Sequence, residues 1–299
     1  MTELTILDGG MGQELLRRSG DVPTHQWSMR VMRDHRDLVR AIHADYFAAG
    51  ADIATANTYA LQRDRLVGTG FETEFERLHD IALRAAETAR EAHGAGRVAG
   101  AIGPLNGSYR PDAHPDLATA RPLYAEGARL MRGRVDLVIC ETVASLTHAR
   151  AALQGAQEAG VPVWLAVTVD DGDGAHLRSG EAVADVVAVA REEGASALLV
   201  NCSVVEVMPA ALDALGPCSL PLGVYANAFT RISDDFRTAG ADVSVLQARS
   251  DLDPVRYADH AQRWQALGAT IIGGCCETGP AHIAEIDRRL RPGVSRMAV

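Results

Sequence analysis

The chain has 299 residues, of which 47% are hydrophobic and 23% charged, and its net charge is -10 at pH 7. That balance fits an ordinary soluble globular protein, and Lys/Arg gather only in short pairs such as Arg288-Arg289, which argues against a nucleic-acid partner. No apolar run reaches membrane-spanning length, and Met1-Thr2-Glu3-Leu4-Thr5 lacks the profile of a secretory signal, so the expected setting is the cytoplasm with no membrane partner.

Apolar runs and amphipathic stretches alternate along the chain. Leu4–Leu7 comes first, followed by a predicted helix over Arg36–Ala49. Ala51–Ala56 precedes a helix over Glu72–His93, and Val98–Ile102 precedes one over Leu117–Arg132. Leu137–Cys140 leads to Ser145–Ala159, and Val163–Val169 leads to Gly180–Glu193. Ala197–Val200 leads to Val205–Leu215, Leu222–Tyr225 to Pro254–Leu267, and Thr270–Ile272 to Pro280–Leu290. Several helices start at Ser or Asp-Pro and stop at Gly, as at Ser145, Asp253-Pro254, Gly50, Gly160, Gly194 and Gly268. Eight apolar runs separated by helices, several of which stop at Gly, read as parallel βα units. The expected fold is α/β, a single (β/α)8 TIM-type barrel with residues 1–299 as one domain; an open doubly wound sheet is the alternative. Both place chemistry at the C-terminal ends of the strands.

Five cysteines is an odd number, and in a reducing compartment they read as ligands, nucleophiles or core residues rather than disulfides. Gly273-Gly274-Cys275-Cys276 ends the eighth run, and Asn201-Cys202 ends the sixth. Strands of like parity contribute to one layer of a barrel, so the three sulfurs can meet at its mouth. Three thiolates suit Zn²⁺, which prefers four ligands; the open fourth position marks a catalytic site and invites an exogenous thiol. The plain alternative is three small core residues at strand ends. Cys140 reads as core because side chains alternate along a strand, and Cys218, in a Pro/Ser loop, carries no motif. The ten His residues show no metal-ligand spacing.

With Leu7-Asp8-Gly9-Gly10-Met11-Gly12, these cysteine motifs resemble the homocysteine S-methyltransferase family, which includes S-methylmethionine- and betaine-dependent enzymes and the homocysteine domain of methionine synthase. The resemblance spans nearly the whole chain, through Gln26-Trp27-Ser28, Ala48-Ala49-Gly50-Ala51-Asp52, Thr55-Ala56-Asn57-Thr58-Tyr59, Gly103-Pro104 and Glu141-Thr142. It implies that Cys202, Cys275 and Cys276 ligate zinc and that homocysteine sulfur takes the open position. It also implies that Asp8, Gly9 and Gly10 hold the amino acid end of homocysteine and that Glu141 pairs with its ammonium. Asn57 and Asn227, at strand ends, are candidates for substrate hydrogen bonds, although Asn there is commonly a turn former.

The methyl donor is less legible. A betaine site would need an aromatic cage; Trp27, Tyr59, Phe71 and Phe75 are the nearest candidates, but Thr142 stands where the betaine enzymes carry Tyr. Cobalamin-dependent relatives carry further modules on a longer chain. A small sulfonium such as S-methylmethionine is therefore expected, with S-adenosylmethionine as the lesser choice. Ala226-Asn227-Ala228-Phe229-Thr230 departs from the family's Pro-Asn-Ser-Gly-Glu-like stretch on the donor side. Rival readings are a different thiol or selenol acceptor, a corrinoid- or betaine-type donor, and a non-catalytic zinc barrel. Homo-oligomerisation is left open.

Overall fold

Strands β1 (Thr5–Ile6), β2 (Ile53–Thr55), β3 (Arg97–Ile102), β4 (Leu137–Val143), β5 (Val163–Val167), β6 (Ala197–Val204), β7 (Leu222–Asn227) and β8 (Ile271–Ile272) form one parallel sheet. The computed structural model describes residues 4–21, 27–232 and 246–292. The sheet order runs β1-β8-β7-β6-β5-β4-β3-β2, and a parallel bridge between Leu7 and Ile53 joins its two ends. The result is a (β/α)8 barrel of the TIM type, and every apolar run expected from the sequence carries a strand.

Both faces of such a sheet are buried, which is why its strands read as unbroken apolar runs. Alternation sorts the side chains. Leu7, Ile53, Ala99, Leu137, Ile139 and Leu199 belong to the cluster filling the barrel interior. Val98, Val138, Cys140, Leu165, Leu198 and Val200 pack into the larger cluster shared with the helices.

The helices of the outer ring are α1 (Met11–Ser19), α2 (Trp27–Asp34), α3 (Arg36–Ala48), α4 (Arg63–Leu66), α5 (Phe75–His93), α6 (Leu117–Met131), α7 (Leu146–Ala156), α8 (Val183–Glu192), α9 (Met208–Leu215), α10 (Pro254–Ala266) and α11 (Pro280–Leu290). Their starts follow the expected chemistry: Ser145 Oγ accepts the His148 N–H at 3.1 Å, and Asp253 Oδ1 accepts that of Arg256 at 2.8 Å. Gly160 and Gly194 take the left-handed conformation at helix stops, with φ of 72° and 71°.

Three helices escape the sequence reading. The two glycines Gly10 and Gly12 make the start of α1 look like a turn, and α4 is too short for any periodicity. α2 follows Gln26, which lies outside the described residues, as do the side chains of Trp27 and Ser28. α8 also begins three residues later than expected, because His176 and Ala182 pair as an antiparallel bridge ahead of it. Among the described residues no helix is long and apolar enough to cross a membrane.

Asp52 holds the seam where the barrel closes. Its N–H donates to the Ile6 carbonyl at 2.7 Å, and its Oδ2 accepts the Ile6 N–H at 2.7 Å. Arg291, just past α11, donates to both Asp52 oxygens at 2.9 Å and to the Gly50 carbonyl at 2.6 Å. Asp52→Ala leaves the Ile6 N–H without its acceptor and the Arg291 guanidinium with only Gly50 and Asp287, and is expected to lower stability by about 1–3 kcal/mol. A fall in the urea midpoint at unchanged slope checks this; an unmoved midpoint contradicts it.

Candidate active site

At the C-terminal mouth of the barrel, the ligand atoms of Cys202, Cys275 and Cys276 lie within 4.8 Å of one another. Among the described residues no His or carboxylate joins them. Alternation alone would not bring Cys202 there. Ala197 and Leu199 face the interior and Leu198 and Val200 face the helices, so a regular strand would aim residue 202 outward. The β6 register shifts between Asn201 and Val204, and Cys202 takes a φ of 49°. This bulge turns the thiol inward, against Tyr109, Phe229 and the other two cysteines.

β4 carries a matching irregularity between Cys140 and Val143, with Thr142 at φ 57°. A non-glycine residue in that region costs about 1–3 kcal/mol. Buried hydrogen bonds tie the two bulges together: Asn201 Oδ1 accepts the Thr142 N–H at 3.0 Å, and Asn201 Nδ2 donates to Thr142 Oγ1 at 3.2 Å. Behind Cys202, its carbonyl accepts from Thr168 Oγ1 at 3.3 Å, and Arg178 donates to Thr168 Oγ1 at 3.0 Å. The Arg178 guanidinium also sits 4.9 Å over the Tyr109 ring.

The other two cysteines follow β8 on a segment that continues the ladder after the strand ends. Gly273 N–H donates to the Val224 carbonyl, Gly274 N–H to that of Asp8, and Cys275 N–H to that of Ala226, at 3.0–3.1 Å. A side chain on Gly274 would overlap that of Thr278, so only glycine lets the chain pass. The Cys202 and Cys275 sulfurs are paired as a disulfide with Cα atoms 5.9 Å apart, while Cys276 is free. The two strand ends bring these Cα atoms close enough for both sulfurs to share a bond or a common ligand site with Cys276. Reduction of the pair yields the three thiols that a metal would need. Burial pushes the Cys276 thiol up to about 12.

The cysteines open on a cavity of about 250 Å³. Asp8, Gly9, Gly10, Asn57 and Glu141 all line it; Asn227 does not. Asn227 is fully buried, and its Oδ1 accepts the Phe229 N–H at 3.1 Å, the work of a turn former. Asp8 has protein partners already: its oxygens accept the Thr55 N–H and hydroxyl, both at 2.7 Å, which ties β1 to β2. Gly10 is likewise engaged, since its N–H donates to the Thr278 carbonyl at 2.8 Å. A Cβ on Gly10 would stand 2.7 Å from the Cys275 carbonyl oxygen, so this turn packs directly on the cysteine segment. The free donors lie one step on. α1 begins at Met11 with no side-chain cap, and Met11, Gly12 and Gln13 line the cavity.

Glu141 faces the cavity because it shares the inward parity of Leu137 and Ile139. Burial raises its carboxyl to about 8, opposed by the Tyr225 hydroxyl, which donates to it at 3.1 Å, while nearby Asp8 adds to the rise. Burial likewise lifts Asp8 to about 7 against the two Thr55 hydrogen bonds. Cys140 lies in the outer layer, its thiol pushed far up by burial, and Cys218 donates to the Leu220 carbonyl at 3.5 Å.

Tyr59, named from the sequence as a candidate cage aromatic, does line the cavity, whereas Arg65, Ser108 and Tyr109 carried no signal: they come from the loop after β3 and from α4, where no periodicity marks a direction. Tyr59 and Ser108 share a hydrogen bond of 2.7 Å, and Tyr109 has a φ of 61°. Tyr225 was readable only as the end of the seventh run. Phe71 and Phe75 are buried beneath Arg33 and Arg63 and do not line the cavity.

Residues 5–290 match the family described as homocysteine S-methyltransferase. A homocysteine S-methyltransferase of Escherichia coli is 32% identical over 309 residues, covering 96% of this chain and 95% of that protein. A second, YbgG of Bacillus subtilis, is 29% identical over 95% of this chain and 93% of its own. Among solved structures, the metallated form of the homocysteine methyltransferase MmuM from Escherichia coli superposes with a TM-score of 0.80 at 29% identity, covering 96% of each chain.

The Asn201 clamp makes a direct prediction. Asn201→Ala leaves the buried Thr142 N–H unpaired and is expected to cost about 1–3 kcal/mol of stability. Equilibrium unfolding of both proteins measures this, and equal stabilities contradict the clamp.

Proposed function

The chain belongs to the homocysteine S-methyltransferase family, and from that premise we propose a zinc-dependent enzyme that moves a methyl group from a small sulfonium onto homocysteine, giving methionine. S-Methylmethionine is the proposed donor, with S-adenosylmethionine second. The observation that carries this reading is the cluster of three sulfurs opening on a cavity that also presents Glu141 and the uncapped start of α1.

The donor set fits the metal. Three soft sulfur ligands and no fourth protein ligand among the described residues match a catalytic zinc site with one position free. Bound there, zinc supplies a lowered thiol pKa, so that an incoming thiol is held as its nucleophilic thiolate. Cys202, Cys275 and Cys276 would hold it once the Cys202–Cys275 pair is reduced, and the cytoplasm is the compartment in which that state persists.

The remaining residues position homocysteine and its partner. The N–H groups at the start of α1 suit the homocysteine carboxylate. Glu141 suits its ammonium, which restores the charged carboxylate that burial disfavours. Asp8 acts one step back, holding Thr55 and the β1–β2 rim in place. Tyr59, Tyr109 and Tyr225 give the cavity aromatic walls, which favour a sulfonium and exclude water. In the transfer, the homocysteine sulfur forms the new S–CH₃ bond as the donor's S–CH₃ bond breaks. Thiolate and sulfonium become two neutral thioethers, so no general acid is required. Residues 1–299 act as one domain in this scheme.

The reading is tested by reducing the protein, loading it with zinc and assaying methionine formation from homocysteine with each donor in turn. Turnover with S-methylmethionine is expected; methionine formation only when a separate methyl-corrinoid protein is added overturns it. Cys202→Ala is expected to lose zinc on gel filtration at a concentration where the reduced wild type keeps one equivalent. Retention of a full equivalent would remove Cys202 from the ligand set.

Glu141 also sets a pH dependence. Burial raises its carboxyl to about 8 in the free enzyme, so the ionised form that the ammonium binds becomes the minority below that pH. The wild-type kcat/KM for homocysteine is therefore expected to fall as pH drops through 8, with Asp8 contributing below about 7. Glu141→Gln is expected to lower kcat/KM at pH 8.5 by roughly ten- to a hundredfold. Because homocysteine's own ionisations are common to both proteins, the ratio of wild type to variant isolates Glu141. A ratio that does not change with pH contradicts the assignment.

A further inference from the structure

Among the described residues, one side-chain cation on the cavity wall, Arg65, makes no hydrogen bond or ion pair with the protein. Arg65, on α4, lines the cavity with its guanidinium carbon 5.6 Å from the centre of the Tyr59 ring. Its Nη1 is buried and has no hydrogen-bond partner among the described residues. The nearby side chains do not supply one. Asp64, its neighbour in sequence, accepts the Asn106 N–H at 2.6 Å through Oδ2, and its Oδ1 is buried and unpaired without reaching Arg65; the Tyr59 hydroxyl is taken up with Ser108 at 2.7 Å. The contrast lies on the same helix, where Arg63 reaches Glu126 at 2.6 Å. Arg65 is half-buried at the cavity wall, and a ligand that brings an anion pairs a guanidinium that no carboxylate of the described residues pairs.

The two charged ends of homocysteine are already provided for, by Glu141 and by the start of α1. We infer that Arg65 is the carboxylate receptor for the methyl donor, so that the cavity selects a sulfonium carrying a carboxylate over one without it. This rests on the homocysteine reading above. The planar guanidinium presents paired donors that match a carboxylate, and its stacking on Tyr59 places the anion beside the aromatic wall that faces the sulfonium. Arg65 is thus a specificity residue that touches the donor and takes no part in bond making.

The test compares S-methylmethionine with its carboxamide, which keeps the sulfonium and the amine and removes the anion. The zinc-loaded wild type is expected to prefer the carboxylate by roughly ten- to a hundredfold in kcat/KM. Arg65→Met is expected to abolish that preference with the KM for homocysteine unchanged, and Arg65→Lys to restore part of it. If Arg65→Met retains the preference, or raises the homocysteine KM while leaving the donor untouched, the inference is overturned; the second result moves Arg65 to the acceptor. Calorimetric titration of S-methylmethionine into the same proteins separates this inference from the donor reading. Arg65-dependent binding without methionine formation sinks the donor and leaves Arg65 as its receptor. Equal binding to wild type and Arg65→Met overturns the inference even where turnover is seen.

Discussion

The chemistry of this barrel depends on a break in strand alternation. A regular β6 would point Cys202 at the helices, on the same side as Leu198 and Val200. A left-handed residue at 202 reverses it, and a second at Thr142 does the same kind of work on β4. Neither is glycine, so each is strained, and the strain is held by buried partners. Asn201 spans the two bulges, while Thr168 and Arg178 support the Cys202 carbonyl from behind. The placement of the sulfurs is therefore a property of this polar network as much as of the cysteines.

The cavity is built to receive positive charge. Two carboxylates, Asp8 and Glu141, sit where burial raises them to about 7 and 8, and Cys276 rises to about 12. Each of these groups is hard to ionise alone and is relieved by a neighbouring cation. The proposed ammonium beside Glu141 and the proposed metal among the sulfurs would answer the same electrostatic demand. Arg65 and the start of α1 give the opposite sign at other points of the wall, which supports the proposed recognition of an amino acid by both its charged ends.

Much of this was legible in the sequence, for a physical reason. Strands covered on both faces show as apolar runs, and helices stopping at glycine show as punctuation, so all eight βα units could be counted. Cysteines at the ends of two such runs pointed to one mouth. Contacts between residues far apart in the chain were not legible. Nothing local to Asp8 reveals that Thr55 occupies its oxygens, and nothing local to Gly10 reveals that its N–H is taken by Thr278. Asn227 looked like Asn57, yet one turns back on its own chain and the other faces the cavity. Arg65 and Tyr109 lie on α4 and a βα loop, where direction is set by packing and no period announces it. The bulges at 142 and 202 defeat the alternation rule itself.

The central claim is that the three sulfurs form an incomplete metal shell that homocysteine completes. X-ray absorption at the zinc edge of the reduced, zinc-loaded protein measures it directly. The account predicts three sulfurs and one lighter atom in the resting protein, becoming four sulfurs when homocysteine is added. A shell that holds four protein ligands from the outset, or that does not change on adding homocysteine, would contradict it.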